Sequence, residues 1–121
     1  MSQKKRQVDW YYRRNGCITC QRSDAFLQEC GAAIAEQVDA RKERISPAEA
    51  VRLARSMRYL HIARGKKVVH FDLQTDHPTD DELKKLLIGP SGNLRAPTAR
   101  VGNRMFVGFL AEEYVAGLWG K

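Results

Sequence analysis

The most constraining feature of the chain is Cys17-Ile18-Thr19-Cys20, placed where an extended segment gives way to a helical one. Val8-Asp9-Trp10-Tyr11-Tyr12 is short and rich in β-forming and aromatic residues, so it predicts a strand. Asn15-Gly16 breaks it. Phe26, Leu27 and Cys30 then recur at helical spacing, and Gly31 supplies a C-terminal stop. A cysteine at the start of that helix meets unpaired first-turn N–H groups and the positive end of the helix dipole. Both favour a thiolate at Cys17, and the thiolate is the nucleophile. Cys20 follows one turn later, within reach to displace a partner from Cys17 and close a disulfide. Zinc and inert burial are the competing readings. A structural zinc site needs four ligands, and Cys30, His61, His70 and His77 do not stand at finger-like spacing. Redox chemistry is therefore the favoured reading, with no metal expected. Cys30 reads as a bystander in the core, and the histidines as surface residues.

The rest of the chain predicts one domain over residues 8–121, behind a disordered basic lead at 1–7 that contains Lys4, Lys5 and Arg6. Ile34 to Val38 predicts a second strand. Ser46-Pro47-Ala48-Glu49 is a helix start, with a serine cap, proline in the first turn and a capping box. Tyr59 to Ala63 reads as an extension of that helix or the start of another. Val68 to Leu73 looks locally like a strand. Thr79-Asp80-Asp81-Glu82 starts a further helix, its acidic residues complementing the dipole, and Gly89-Pro90 ends it. Thr98 to Val101 and Met105 to Phe109 flank Gly102-Asn103-Arg104 as a β-hairpin. Ala111 to Trp119 closes as an amphipathic helix.

A C-x-x-C after a strand in a βαβ setting is a thioredoxin-like signature. In such a chain a proline leading into a strand is expected to be cis, so Arg95-Ala96-Pro97-Thr98 is the expected second half of the site. Its backbone would lie beside Cys17 and offer hydrogen bonds to an extended or thiol-bearing partner.

The strand, Cys17-x-x-Cys20, the helical middle, Asn93-Leu94-Arg95-Ala96-Pro97 and Arg104-Met105-Phe106-Val107-Gly108-Phe109 together resemble the glutaredoxin-like arsenate reductases and their relatives, the Spx-type redox regulators. The resemblance spans residues 8–119. It implies an α/β, thioredoxin-like fold (β-α-β … β-β-α) with a helical insertion between the second and third strands, a helical subdomain over roughly residues 46–92. On that basis the local strand signal at 68–73 is downgraded, leaving a helix end or an extended connection as the alternatives. Two positions depart from the reductase pattern. Cys20 and Gln21 stand where those enzymes carry Ser and Arg, giving a two-cysteine centre like the Spx-type arrangement. Ala96, rather than an arginine, directly precedes Pro97, with Arg95 displaced by one.

The resemblance implies a thiol-disulfide redox protein reducing an oxyanion or a disulfide through Cys17 and Cys20. Arg64, Arg95 and Arg104, with Pro97 and Thr98, would bind the substrate. Guanidinium groups near a thiolate favour its charged form and grip anions bidentately. No cofactor is expected to stay bound. Glutathione, glutaredoxin or thioredoxin would supply electrons. The alternative is a redox-sensing regulator whose disulfide state controls binding to a partner such as RNA polymerase.

Charge fits this picture. There are 21 Lys and Arg against 14 Asp and Glu, a formal net charge of +7. Nucleic acid would be the first explanation of such an excess, but aromatics are only 8% of the chain and the charges are scattered, without a DNA- or RNA-binding motif. No apolar run is long enough to span a membrane. The polar N-terminus carries no secretory pattern, and three cysteines do not make a disulfide scaffold. A monomer in the cytoplasm is the expectation.

Overall fold

A computed structural model describes the backbone of residues 7–119, with side chains to residue 115. The predicted lead at 1–6 lies outside the described residues, whereas Gln7, read as part of it, is already in a strand. The first strand is broken into β1 (Gln7–Val8) and β2 (Trp10–Arg13), followed by α1 (Ile18–Glu29). The second expected strand is likewise two short pieces, β3 (Ala33–Ile34) and β4 (Gln37–Asp39). Then come α2 (Pro47–Arg55), β5 (Tyr59–Arg64), β6 (Lys67–Asp72), α3 (Asp80–Leu87), β7 (Thr98–Val101), β8 (Arg104–Val107) and α4 (Ala111–Trp119).

Six strands form the central sheet in the order β4-β2-β7-β8-β5-β6, and β1 pairs with β3 as a parallel two-stranded extension. β2 and β4 are parallel, as a βαβ crossover through α1 requires. β7 runs antiparallel to both β2 and β8, and β5 is parallel to β8.

Strand alternation sorts the apolar residues onto two faces. Trp10, Tyr12, Leu60, Ile62, Met105 and Val107 pack with Val51 of α2 and with Leu83 and Leu87 of α3. Tyr11, Ala99 and Phe106 point the other way, against Leu27 of α1 and Tyr114 of α4. The result is a sheet with a pair of helices on each face, a mixed α/β fold. The predicted capping box forms at Ser46 with Glu49, and the helix start expected at Thr79 carries a second box with Glu82.

Two expectations are corrected. Tyr59 to Ala63 is not helix. α2 stops at Arg55, the N–H groups of Arg58 and Tyr59 both donate to the Asn103 carbonyl, and β5 enters the sheet beside β8. The segment 68–73, downgraded as a strand, is indeed the strand β6 through Asp72. Residues 46–92 are therefore not a purely helical insertion, because they contribute two strands to the central sheet as well as α2 and α3. The physical reason is a tight hairpin. Arg64 pairs with Lys67, so only Gly65 and Lys66 make the turn, and Gly65 takes φ +62, which suits a residue without Cβ. Arg58 and Asp72 close the open end with an ion pair at 3.2 Å. Among the described residues no helix is long and apolar enough to cross a membrane.

Candidate functional site

β2 ends at Arg13, a short loop containing Gly16 turns the chain, and Cys17 becomes the N-cap of α1. Its backbone is extended (φ −110°, ψ 119°), which aims the sulfur at the first turn, and Sγ accepts the Cys20 N–H at 3.2 Å. A backbone donor at a helix start stabilises negative charge on sulfur. α1 has no acidic residue in its first turn to cancel that field. Cys17 is only 9% accessible, while its neighbour Ile18 is 71% exposed. The thiol thus sits in a shallow, nearly closed position with an apolar side chain standing out beside it.

The segment closing over Cys17 is the one expected. The Ala96–Pro97 peptide bond is cis, and Cys17 Sγ lies 3.9 Å from the Ala96 carbonyl oxygen. Thr98 is fully buried, and its hydroxyl donates to the Arg95 carbonyl at 2.6 Å. Its side chain holds the loop in place and does not face outward to a substrate.

Cys20 is fully buried. Burial pushes its thiol up to about 12, with the hydrogen bond to Cys17 adding to the rise, while the Arg14 backbone and the Arg13 charge oppose it. Cys20 therefore rests as a neutral thiol at pH 7. Cys30 caps the far end of α1, partly buried and a full helix length from the pair.

Beneath Cys20 lies a polar network that the sequence did not reveal. The Tyr11 hydroxyl is 2.7 Å from Asp24 Oδ1 and 2.8 Å from Ser23 Oγ, and its one proton goes to the carboxylate, the stronger acceptor. Arg13 pairs with Asp24 at 2.6 Å, and Ser23 Oγ reaches the Tyr114 hydroxyl at 3.3 Å. Burial raises both tyrosines well above the usual phenol range. The available signal was spacing: Ser23 and Asp24 stand three and four residues after Cys20, on one face of α1.

The three candidate arginines separate. Arg95 lies under the cis-proline loop, its chain running past Gly89 and Gly108. A Cβ at Gly108 would meet the Arg95 guanidinium at 3.2 Å and Ala63 at 3.0 Å. Burial lowers the Arg95 pKa, and the nearby charge of Arg64 lowers it further. Among the described residues no carboxylate pairs with Arg64 or Arg95. Arg104 is not brought to the cysteines. It pairs with Val101 at the opposite end of the β7–β8 ladder from Thr98, which pairs with Val107, and its guanidinium lies over Tyr59 and against His61. A groove of about 520 Å³ opens beside the cis-proline loop, lined by Arg14, Arg41, Arg44, Arg95, Tyr12 and Ala96 among others. Arg41 and Arg44 were not singled out in the sequence, since nothing local separates them from other surface charges.

The histidines were expected at the surface. His70 is there, but His61 is buried because it occupies an inward position of β5 and stacks on Phe106 at 4.5 Å. His61, His70 and Glu113 converge, their ligating atoms all within 4.8 Å of one another. A cross-strand histidine pair can be seen in a sequence only once β5 and β6 are known to pair.

No protein-family model matches the chain, and no curated protein matches it by sequence. Among solved structures, the one described as the YffB (PA3664) protein is similar over 90% of this chain and 97% of that one, with a TM-score of 0.55 and 18% identity. At that identity the likeness shows a shared fold.

Proposed function

We propose that the protein is a thiol-disulfide oxidoreductase of thioredoxin-like fold, with Cys17 as nucleophile and Cys20 as resolving thiol. The observation that carries this reading is the asymmetry of the pair. Cys17 takes a backbone N–H at a helix start and faces the carbonyl before Pro97, whereas Cys20 is sealed beneath it as a neutral thiol.

The Cys17 thiolate attacks one sulfur of a substrate disulfide, forming a mixed disulfide and expelling the other sulfur as a thiolate, which takes up a proton. Cys20 then gives up its proton and attacks the Cys17 sulfur. The second substrate sulfur leaves as a thiolate, and a Cys17–Cys20 disulfide remains. Two electrons have passed from the dithiol to the substrate, and an external dithiol such as thioredoxin, or glutathione, returns them. Arg95, whose chain leads into the Ala96 carbonyl that faces Cys17, and Arg64, whose charge acts on Arg95, have no carboxylate partner among the described residues and would favour a negatively charged substrate beside the cis-proline loop. An oxyanion such as arsenate would meet the same two groups.

The test is turnover of the full-length chain. With a thioredoxin or glutaredoxin regenerating system, the wild type should reduce a model disulfide or arsenate, and Cys17→Ser should abolish this. Cys20→Ser should accumulate a mixed disulfide at Cys17. Absence of turnover with every donor, or activity that survives Cys17→Ser, would overturn the proposal.

A further inference from the structure

His61, His70 and Glu113 stand apart from the cysteine centre. In the sheet order, β7 and β8 lie between β2, which leads to Cys17, and β5, which carries His61. His61 and His70 are register partners across the antiparallel β5–β6 pair, so their side chains leave the same face of the sheet. Their rings meet edge to face, with centroids 5.0 Å apart. The first turn of α4 brings Glu113 over that face. One carboxylate oxygen receives both rings: His61 Nδ1 is 2.8 Å from Glu113 Oε1, and His70 Nε2 is 2.7 Å from it.

We propose that these three residues form a binding site for a divalent transition-metal ion, with Zn2+ the best match, that fastens α4 to the β5–β6 hairpin.

Two imidazole nitrogens and a carboxylate oxygen are a donor set that zinc accepts at about 2.0–2.2 Å each, leaving a fourth position for water or an outside ligand. Tetrahedral donors at those lengths are about 3.3 Å apart. The observed 2.7 and 2.8 Å separations therefore need to open by roughly half an ångström, and the two ring nitrogens, within 4.8 Å of each other, need to settle at about that same spacing, adjustments that rotation of the Glu113 side chain and of the exposed His70 ring would supply. Exposure is graded in a way that suits an open coordination position. The His61 side chain is 9% accessible and that of Glu113 22%, while that of His70 is 55% accessible. Tyr59, His61, His70 and Arg104 also line a groove of about 300 Å³, giving a fourth ligand room to approach.

Arg104 is the competing group. Its Nη1 lies 3.1 Å from His61 Nε2. A guanidinium only donates, so in the metal-free state Nε2 is the accepting nitrogen and the ring proton sits on Nδ1, directed at Glu113. A metal on Nδ1 moves that proton to Nε2, which then can no longer accept from Arg104. The arginine has an alternative place to rest, because its guanidinium already lies 4.4 Å from the centre of the Tyr59 ring. Removing the arginine should therefore tighten metal binding, whereas an ordinary hydrogen-bonded cluster gives no such result.

The experiment is calorimetric titration of the full-length protein with Zn2+, and optical titration with Co2+, in the wild type and in Cys17→Ser/Cys20→Ser. The expected result is one equivalent bound in both proteins, with a Co2+ spectrum lacking thiolate charge-transfer bands. His70→Ala, at an exposed position, and Glu113→Gln should each weaken Zn2+ binding at least about tenfold, and Arg104→Met should strengthen it. Circular dichroism of each variant confirms its fold. The proposal is overturned if the wild type binds no stoichiometric Zn2+, if binding disappears with the two cysteines, or if folded His70→Ala and Glu113→Gln bind as the wild type does.

Discussion

Alkylation of the two cysteines offers a quantitative reading of the site. Cys20 is raised from an ordinary 9.0 to about 12, chiefly by burial. Three pH units reduce its thiolate fraction at pH 7 about 1000-fold. A more basic thiolate is intrinsically more nucleophilic, and a Brønsted slope of about 0.4–0.5 returns about 16- to 32-fold of that loss. Cys20 in the folded protein should then react with iodoacetamide about 30- to 60-fold more slowly than Cys20 in the same chain unfolded in urea. Its complete burial can only slow it further. The assay is time-resolved alkylation of the reduced protein, with peptide mass spectrometry reporting each cysteine separately. Cys17, with the Cys20 N–H on its sulfur, should be modified first. Folded Cys20 reacting within about threefold of its unfolded rate, or ahead of Cys17, would refute the reasoning.

Three further expectations concern stability. Leu83 is completely buried between α3 and the sheet, so Leu83→Ala should lower unfolding free energy by about 2–5 kcal/mol in urea titration, and a loss below about 1 kcal/mol would contradict that packing. Asp24→Asn removes the charged partner of Arg13 and Tyr11 and should cost about 1–3 kcal/mol, with Tyr11→Phe/Asp24→Asn showing less than the sum of the single losses. Cys20, Tyr11 and Tyr114 all have folded pKa values raised by burial. Groups shifted in that direction contribute stability that is complete below their unfolded pKa and is lost as pH climbs towards the folded value. The urea midpoint should hold up to about pH 8 and fall between about pH 9 and 11, and Tyr114→Phe should flatten the fall. A midpoint constant to pH 11 would show that these groups titrate alike in both states.

What could be read from the sequence was local. Ser46 and Thr79 sit at their helix starts with Glu49 and Glu82 in register, because a capping box is complete within four residues. The C-x-x-C at a strand–helix junction and the proline before β7 were legible for the same reason. The segment 59–72 was not. Tyr59 to Ala63 follows α2 closely and contains Leu60, Ile62 and Ala63, all buried in the sheet. A strand covered on both faces shows little alternation and resembles a short apolar helix. Its partner β6 did show a local strand signal, and the family resemblance outweighed it wrongly. That error concealed the pairing of His61 with His70, and with it the cluster at Glu113. Arg104 was placed at the site by motif alone, but the β7–β8 register carries it to the far end of the ladder. The +7 charge also divides, with Arg14, Arg41, Arg44 and Arg95 gathered along one groove by the fold and not by the order of residues.

The central claim is that Cys17 and Cys20 act as one dithiol. Equilibrating the protein in buffers of graded dithiothreitol redox potential, then trapping and mapping free thiols, tests it most directly. The account predicts a single two-electron transition in which Cys17 and Cys20 lose their thiols together while Cys30 stays alkylatable. A Cys17 that oxidises alone, or a disulfide that includes Cys30, would contradict it.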